Sequence, residues 1–313
     1  QPMTSHYRIR NWSNYNEAKV NRGSVTLWVE AEVLNSWKNT QKTGKRGASK
    51  QYSDLAIETL LTLKSVYRLA LRQTIGFARS IFKLMDVDLE LPHYSTLSRR
   101  AATLPVKLSR RPASPPCLVV VDCTGIKVFG DGEWTQRKHG NCKRRSWLKL
   151  HLGLDEATGE ILAGVVTPNS VGDSQVVDEL LDNIEEDIGQ FSGDGAYDRV
   201  YVYDYIDERG AVASIPPRKD AKIWFHGNRK GPKHQRDENL RRIRTVGRAA
   251  WKREIGYHRR SLSETGMYRL KTIFTGEVCA RKIETQRTEL MIECKALNKM
   301  TRLGMPDSYP VEA

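Results

Sequence analysis

The strongest constraint on how this chain can fold is a change of hydrophobic period across a proline-rich segment, residues 109–116 (Ser-Arg-Arg-Pro-Ala-Ser-Pro-Pro). Before it, Leu55, Ile57, Leu60, Leu61, Leu63, Val66 and Tyr67, then Leu69, Leu71, Ile75, Phe77, Ile81, Phe82 and Met85, recur at the spacing of two amphipathic helices. After it, residues 117–122 (Cys-Leu-Val-Val-Val-Asp) form a continuous apolar run of the buried-strand type. Residues 147–155 and 160–166 alternate as strands joined by the turn Ala157-Thr158-Gly159. A chain that switches from helical to strand periodicity across such a linker is expected to form two domains, residues 1–110 and 117–313.

The first domain reads as all-α. Candidate helices at 15–21 and 25–38 precede an exposed Lys/Gly/Ser-rich connector at 42–50. Asp54 is placed to help cap the first long helix. A short third helix is expected to open at Ser95 or Thr96, with Arg99 and Arg100 on its exposed side. Two core helices followed by a short Ser/Thr/Arg-rich helix suit a helix-turn-helix-like DNA-binding region. A bundle that only packs fits the same pattern. The second domain continues with an acidic helix at 173–187, a strand at 189–193, a helix at 198–209 and a strand at 211–215 stopped by Pro216-Pro217. That order makes an α/β plan with a mixed sheet and flanking helices.

Charge follows the same division. The 313 residues hold 51 Lys and Arg against 37 Asp and Glu, a net of +14 that seeks a polyanion, and nucleic acid is the commonest soluble one. Residues 1–110 carry 18 bases and 8 acids, residues 173–209 carry 2 and 12, and residues 216–260 carry 15 and 4. An acidic block followed directly by a basic one suits a protein that holds metal ions and a phosphate backbone side by side; solvated faces are the plainer reading. No apolar run approaches a membrane span, and no apolar leader precedes the first helix, so the chain is expected inside the cell and away from membranes. The five cysteines form no Cys-x-x-Cys pair, which indicates reduced thiols rather than a disulfide framework or structural zinc; Cys123 and Cys142 read as small packed residues.

Three places gather the chemistry. Asp122 ends the buried strand, and Asp194 follows a later strand between Gly193 and Gly195, positions where α/β folds build sites. The glycines leave room for a metal-bound phosphate to approach the backbone. Tyr257, Arg260, Glu264 and Lys271 share a third segment, and on one helix they project within a stripe of about 60°. A surface salt-bridge ladder is the alternative, weakened because Arg260 precedes Glu264 by four residues, the less favourable order.

Asp-x-Thr-Gly after one strand, Gly-Asp-Gly-Ala-Tyr-Asp after another and Tyr-x2-Arg-x3-Glu-x6-Lys on a helix resemble the DDE transposases of bacterial insertion sequences, most closely the insertion sequence five family. The intervals of 72 and 70 residues between the three acids agree with that group. The likeness extends through Asn11-Trp12-Ser13-x-Tyr15, Asn21-Arg22-Gly23-Ser24, Arg137-Lys138-His139-Gly140, His151-Leu152, residues 155–160 (Asp-Glu-Ala-Thr-Gly-Glu), Ile215-Pro216-Pro217-Arg218 and a closing run from Leu297 to Pro306. It implies an RNase H-like catalytic core in which Asp122, Asp194 and Glu264 are catalytic and bind two Mg²⁺ ions, with Mn²⁺ as a substitute. It further implies that Tyr257, Arg260 and Lys271 hold phosphates of the transposon end. The expected activity is cleavage at terminal inverted repeats and joining of the 3′-hydroxyl to target double-stranded DNA, by a homodimer or larger assembly in the bacterial cytoplasm at the nucleoid.

Weaker features accompany these. Residues 134–151, with Trp134, Arg137, Lys138, His139, Lys143, Arg144, Arg145, Lys149 and His151, suit a hairpin that tracks the DNA backbone. Trp224 suits either stacking on an extruded base or ordinary packing. Asp198 and Glu254 are spare carboxylates not expected to bind metal. Two other functions compete: a DNA-binding protein whose sheet domain is catalytically inactive, and a metal-dependent nuclease of the same fold without strand transfer.

Overall fold

The computed structural model describes residues 6–40, 50–108, 115–128, 147–225 and 233–311. The chain divides into two compact units, residues 1–107 with 295–313, and residues 108–294. The boundary near 110 lies where helical periodicity ends, but the closing residues from 295 onward group with the first unit rather than with the second.

The first unit is helical: α1 (Trp12–Asn21), α2 (Val25–Trp28), α3 (Ala31–Asn35), α4 (Asp54–Val66), α5 (Leu71–Leu84) and α6 (Tyr94–Ala101). The single helix expected at 25–38 is broken at Val29 and Glu30, whose backbones leave the helical region (φ −116° and ψ 152° respectively). Ser53, not Asp54, caps α4, its Oγ accepting from the Ala56 N–H at 3.0 Å. Ile57, Leu60, Leu63, Ala78, Phe82 and Leu97 from α4, α5 and α6 are buried together with Trp37, whose ring meets Phe82 edge-on at 5.0 Å. A two-stranded ribbon pairs β1 (His6–Ile9) with β8 (Ser308–Val311), and Asn11 reaches the same closing segment through Nδ2 to the Met305 carbonyl and Oδ1 from the Asp307 N–H. The opening and closing motifs of the chain thus meet.

The second unit is the expected α/β plan. Its six-stranded mixed sheet has the order β4-β3-β2-β5-β6, with β7 (Glu277–Val278) also pairing β2. β2 (Cys117–Val128), β3 (Trp147–Asp155) and β4 (Ile161–Pro168) form an antiparallel meander, while β5 (Ile188–Ser192), β6 (Val212–Ser214) and β7 add in parallel. Thr158 closes the β3–β4 turn onto Asp155 through both its N–H and its hydroxyl, and Gly159 sits there at φ +68°. The expected acidic helix is a 3₁₀ turn at Asp173–Val176 followed by α7 (Val177–Asp182) only; Asn183 ends it, and Glu185, Glu186 and Asp187 lie in the approach to β5.

Alternation along β2 assigns the two faces of the sheet. Val119 and Val121 point into a core shared with α7 and α8 (Val200–Glu208), including Leu180, Val202 and Ile206. The opposite face carries α11 (Ser261–Phe274) and the first part of α12 (Ile283–Leu303). Gly266 of α11 lies so close to Leu154 that a Cβ there would stand 2.5 Å from Leu154 Cδ2, and Gly164 faces Met291 of α12 at 3.2 Å. α9 (Gln235–Val246) and α10 (Arg248–Glu254) complete the unit. No described helix is long and apolar enough to cross a membrane.

Candidate active site

Asp122 does not end its strand. β2 runs six residues further because β3 pairs with it from Val119 to Lys127. What ends near Asp122 is the partner on the other edge: β5 follows β2 only to Val120, and β7 takes up that edge again at Lys127. The carboxylate therefore sits at a local opening of the parallel pairing, on the face that carries α11. Its Oδ1 accepts from the Cys123 N–H at 2.8 Å, and its Oδ2 accepts from Arg260 at 2.9 Å and from the Ser263 hydroxyl at 3.2 Å. Burial raises the pKa of Asp122, and the charge of Asp194 adds to this; the Cys123 N–H, Arg260 and Ser263 work against it.

Asp194 follows β5 and caps a 3₁₀ turn, Gly195–Tyr197, with Oδ1 accepting from the Ala196 N–H at 2.8 Å. The reason for glycine before it differs from the expected one. A Cβ at Gly193 would stand 2.8 Å from the Tyr197 ring, so packing demands the glycine there, whereas at Gly195 the nearest atom is 3.6 Å away.

Tyr257 and Arg260 belong to a 3₁₀ turn, Tyr257–Arg260, that leads into α11, rather than to the helix itself. Gly256 at φ +66° starts the turn, and Arg259 ties it to Glu156 beside the β3–β4 turn. Arg260 is thereby held over the sheet. One of its terminal nitrogens lies 2.9 Å from Asp122 and the other 2.7 Å from Glu264 Oε1. The disfavoured Arg-before-Glu pair does form, as part of a bridge between two acids. Burial works against the charge of Arg260, yet Tyr257, Asp122, Glu264 and Asp194 outweigh it and push its pKa above the ordinary value. Burial raises the Tyr257 hydroxyl, with Arg260 opposing and both aspartates reinforcing. Asp122, Asp194, Tyr257, Arg260 and Glu264 thus form one electrostatic cluster. The Asp122 side chain is 19% exposed and that of Glu264 60%, so the cluster opens on the Glu264 side. Three carboxylates from β2, the end of β5 and α11 are a hard-oxygen donor set, and a cation of this chain already spans two of them; the set fits divalent ions of the Mg²⁺ type.

Lys271 stands two turns beyond Glu264, about 10 Å along the helix axis, its stem packed on Gly276. Trp134, Arg137, Lys138, His139, Lys143, Arg144 and Arg145 lie outside the described residues. Lys149 and His151 do not track anything outside. Lys149 is bonded to Asp173 and to the Val171 carbonyl, both at 2.9 Å, and His151 is fully buried on the face opposite Asp122. Burial lowers His151 to about 4 and raises the neighbouring Cys123 thiol to about 12, Asp173 contributing to the latter. In the first unit Arg99 is exposed, but Arg100 turns inward to Asp54 and to the Tyr52 carbonyl, so the expectation of two exposed arginines holds for one. Trp224 is packed: Arg236 lies 3.5 Å over its ring, with Tyr203 and His234 edge-on at 6.0 and 5.6 Å. Asp198 forms a buried pair with Arg236, and Glu254 pairs with Arg242 on the surface.

One residue of the site escapes a reading by motif. Ser263, fully buried on α11, donates to Asp122 and to the Arg260 carbonyl.

Two family models match the chain, both described as a transposase DDE domain, one over residues 20–131 and the other over residues 113–299, more than half its length. Among solved structures the chain is similar to the piggyBac transposase in a synaptic complex with hairpin DNA, at 14% identity over 90% of this chain and 75% of that one. The TM-score is 0.40, and at that level the likeness adds nothing to the fold described above.

Proposed function

Because this chain belongs to the DDE transposase family, we propose that it is the transposase of a bacterial insertion sequence of the insertion sequence five type, and that Asp122, Asp194 and Glu264 are its catalytic carboxylates. The observation that carries the reading is that Arg260 bridges two of these acids from separate elements, Asp122 on β2 and Glu264 on α11, with Asp194 at the end of β5 near enough for its charge to act on both Asp122 and Arg260. Two Mg²⁺ ions held by these carboxylates, with Mn²⁺ as a substitute, would stabilise the entering and leaving oxygens of an in-line phosphoryl displacement. The protein's own residues position and neutralise. Ser263 and the Cys123 N–H fix the Asp122 carboxylate, and the Ala196 N–H fixes Asp194. Arg260, released from its carboxylates, offers a planar fork to a phosphate of the transposon end; Lys271 offers a point charge, and Tyr257 backs the fork. No side-chain nucleophile is needed: water attacks the phosphodiester at the element end, and the freed 3′-hydroxyl attacks target DNA.

Residues 1–110, with their net charge of +10 and the exposed Arg99, are the region proposed to recognise the terminal inverted repeats in a helix-turn-helix manner, and the α/β unit, residues 117–294 without the closing residues that group with the first unit, is proposed as the RNase H-like catalytic domain. Two copies would pair two ends, in the bacterial cytoplasm at the nucleoid. The test uses DNA carrying the element's ends. With Mg²⁺ the protein is expected to nick it and to join a pre-nicked end to target DNA, while Asp122→Asn and Glu264→Gln bind the DNA and leave it uncut. Undiminished cutting by either variant overturns the assignment of the acids. Nicking without joined product points to a plain nuclease, and binding without nicking by the unaltered chain to an inactive DNA-binding protein.

A further inference from the structure

On the sheet face away from Asp122, a second group of ligand-bearing side chains converges. Cys123 on β2, His151 opposite it on β3 and Asp173 on the 3₁₀ turn each bring one ligand atom within 4.8 Å of the other two. Two buried polar atoms at this place have no hydrogen-bond partner among the described residues: Nδ1 of His151 and the hydroxyl of Tyr197, on residues 0% and 1% exposed. The other ring nitrogen of His151, Nε2, lies 2.9 Å from the Thr167 hydroxyl. An imidazole that bonds a fixed partner through one nitrogen and keeps the other bare and buried has the arrangement of a metal-ligating histidine with its outer-shell support. Asp173 is held in place by Lys149 and accepts from the Cys123 thiol.

The donor types choose among cations. A thiolate, an imidazole and a carboxylate form a borderline-soft set that suits Zn²⁺ and poorly suits Mg²⁺. Zinc bonds of about 2.0–2.3 Å set their donors roughly 3.3–3.8 Å apart, so side-chain movement of about 1 Å closes the shell. We propose that Cys123, His151 and Asp173 form a structural site for a Zn²⁺-type cation, separate from the acidic triad, that pins the Asp173–Val176 turn to the β2–β3 pair. A water bonded to the Tyr197 hydroxyl completes the shell. On binding, the sulfur–metal bond forms as the Cys123 S–H bond breaks, and the proton leaves to solvent; the Lys149 ammonium balances Asp173 as before.

The full chain, stripped with a chelator and kept in excess Mg²⁺, is titrated with Cd²⁺. A thiolate-to-cadmium charge-transfer band that saturates at one equivalent is expected. It is lost in Cys123→Ser, weakened in His151→Gln and unchanged in Glu264→Gln, because the triad offers no sulfur. In the unaltered chain, Zn²⁺ is expected to protect Cys123 from alkylation, read by mass spectrometry, and to leave the exposed Cys279 reactive. This second measurement decides the matter if Cys123→Ser does not fold. An unchanged band in folded Cys123→Ser, its loss in Glu264→Gln, or unprotected Cys123 in saturating Zn²⁺ overturns the proposal.

Discussion

Arg236 keeps a charged group where water barely reaches. Its side chain is 4% exposed and that of Asp198 5%, with Nε to Oδ1 at 2.7 Å and a second contact at 3.3 Å. The guanidinium also donates to the Lys222 carbonyl at 2.7 Å and covers Trp224, while Asp237 accepts from the N–H groups of Trp224 and Phe225, both at 2.9 Å. A tryptophan in a basic stretch invites a stacking role, yet here the same charges fasten it to the interior. Losing one partner of such a pair strands the other in a medium of low polarity, and the cost is about 3–5 kcal/mol. Asp198→Ala is therefore expected to lower the free energy of unfolding, measured by chemical denaturation, by that amount, and Asp198→Leu with Arg236→Met to recover much of it. A loss below about 1 kcal/mol in the single variant, the range of surface pairs, would show that the pair is not buried in solution.

Helices place the site, and two glycines show how differently a helix can use the same residue. Gly76 lies on the exposed side of α5, where an alanine methyl would meet none of the described residues within 4 Å, so Gly76→Ala is expected to stabilise the fold by roughly 0.5–1 kcal/mol. Gly266 lies on α11 against Leu154, and Gly266→Ala forces the helix off the sheet at a cost of about 1–3 kcal/mol. Chemical denaturation of both variants checks the opposite signs. Because Ser263 and Glu264 lie within the turn that precedes Gly266, its variant should also lose more end cleavage than end binding. Much at this scale was legible beforehand. The α/β order, the position of Asp194 after a strand and the turn at 157–159 all follow from local patterns of apolar, glycine and turn residues. What was not legible depends on pairing between distant segments. β2 outruns its apolar core because β3 supplies a ladder, and its Cys123 meets His151 and Asp173 only through the sheet. The stripe of Tyr257, Arg260, Glu264 and Lys271 is an angular relation that a 3₁₀ turn satisfies almost as well as an α-helix, so the break at Ser261 leaves no mark in the sequence. The closing segment from residue 295 groups with the first unit through β8 and the Asn11 bonds, contacts nearly the whole chain length apart.

Across the molecule, positive charge is concentrated in residues 1–110 and 216–260, with the acidic 173–209 between them in sequence. The structure sorts these charges by what they already hold. Arg100 is committed to Asp54 and the Tyr52 carbonyl, Arg236 to Asp198, Arg242 to Glu254 and Arg259 to Glu156, and these contribute to folding first. Lys271 makes no hydrogen bond or ion pair among the described residues, and Arg99 has only a weak contact at 3.5 Å with Thr96. Each lysine or arginine that meets a phosphate releases counterions, and the logarithm of the binding constant falls with the logarithm of salt by about 0.9 per contact. Lys271→Ala and Arg99→Ala are thus expected each to flatten the salt dependence of end-DNA binding by about one unit with the fold intact. Arg100→Ala should instead lower thermal stability and leave the slope nearly unchanged. Arg260→Ala distinguishes two roles at the site: a flattened slope means that its fork leaves Asp122 and Glu264 for a DNA phosphate, and an unchanged slope means that it stays with the carboxylates. Equal slopes for all four variants, measured in one salt series at fixed Mg²⁺, would refute this sorting of free from committed charge.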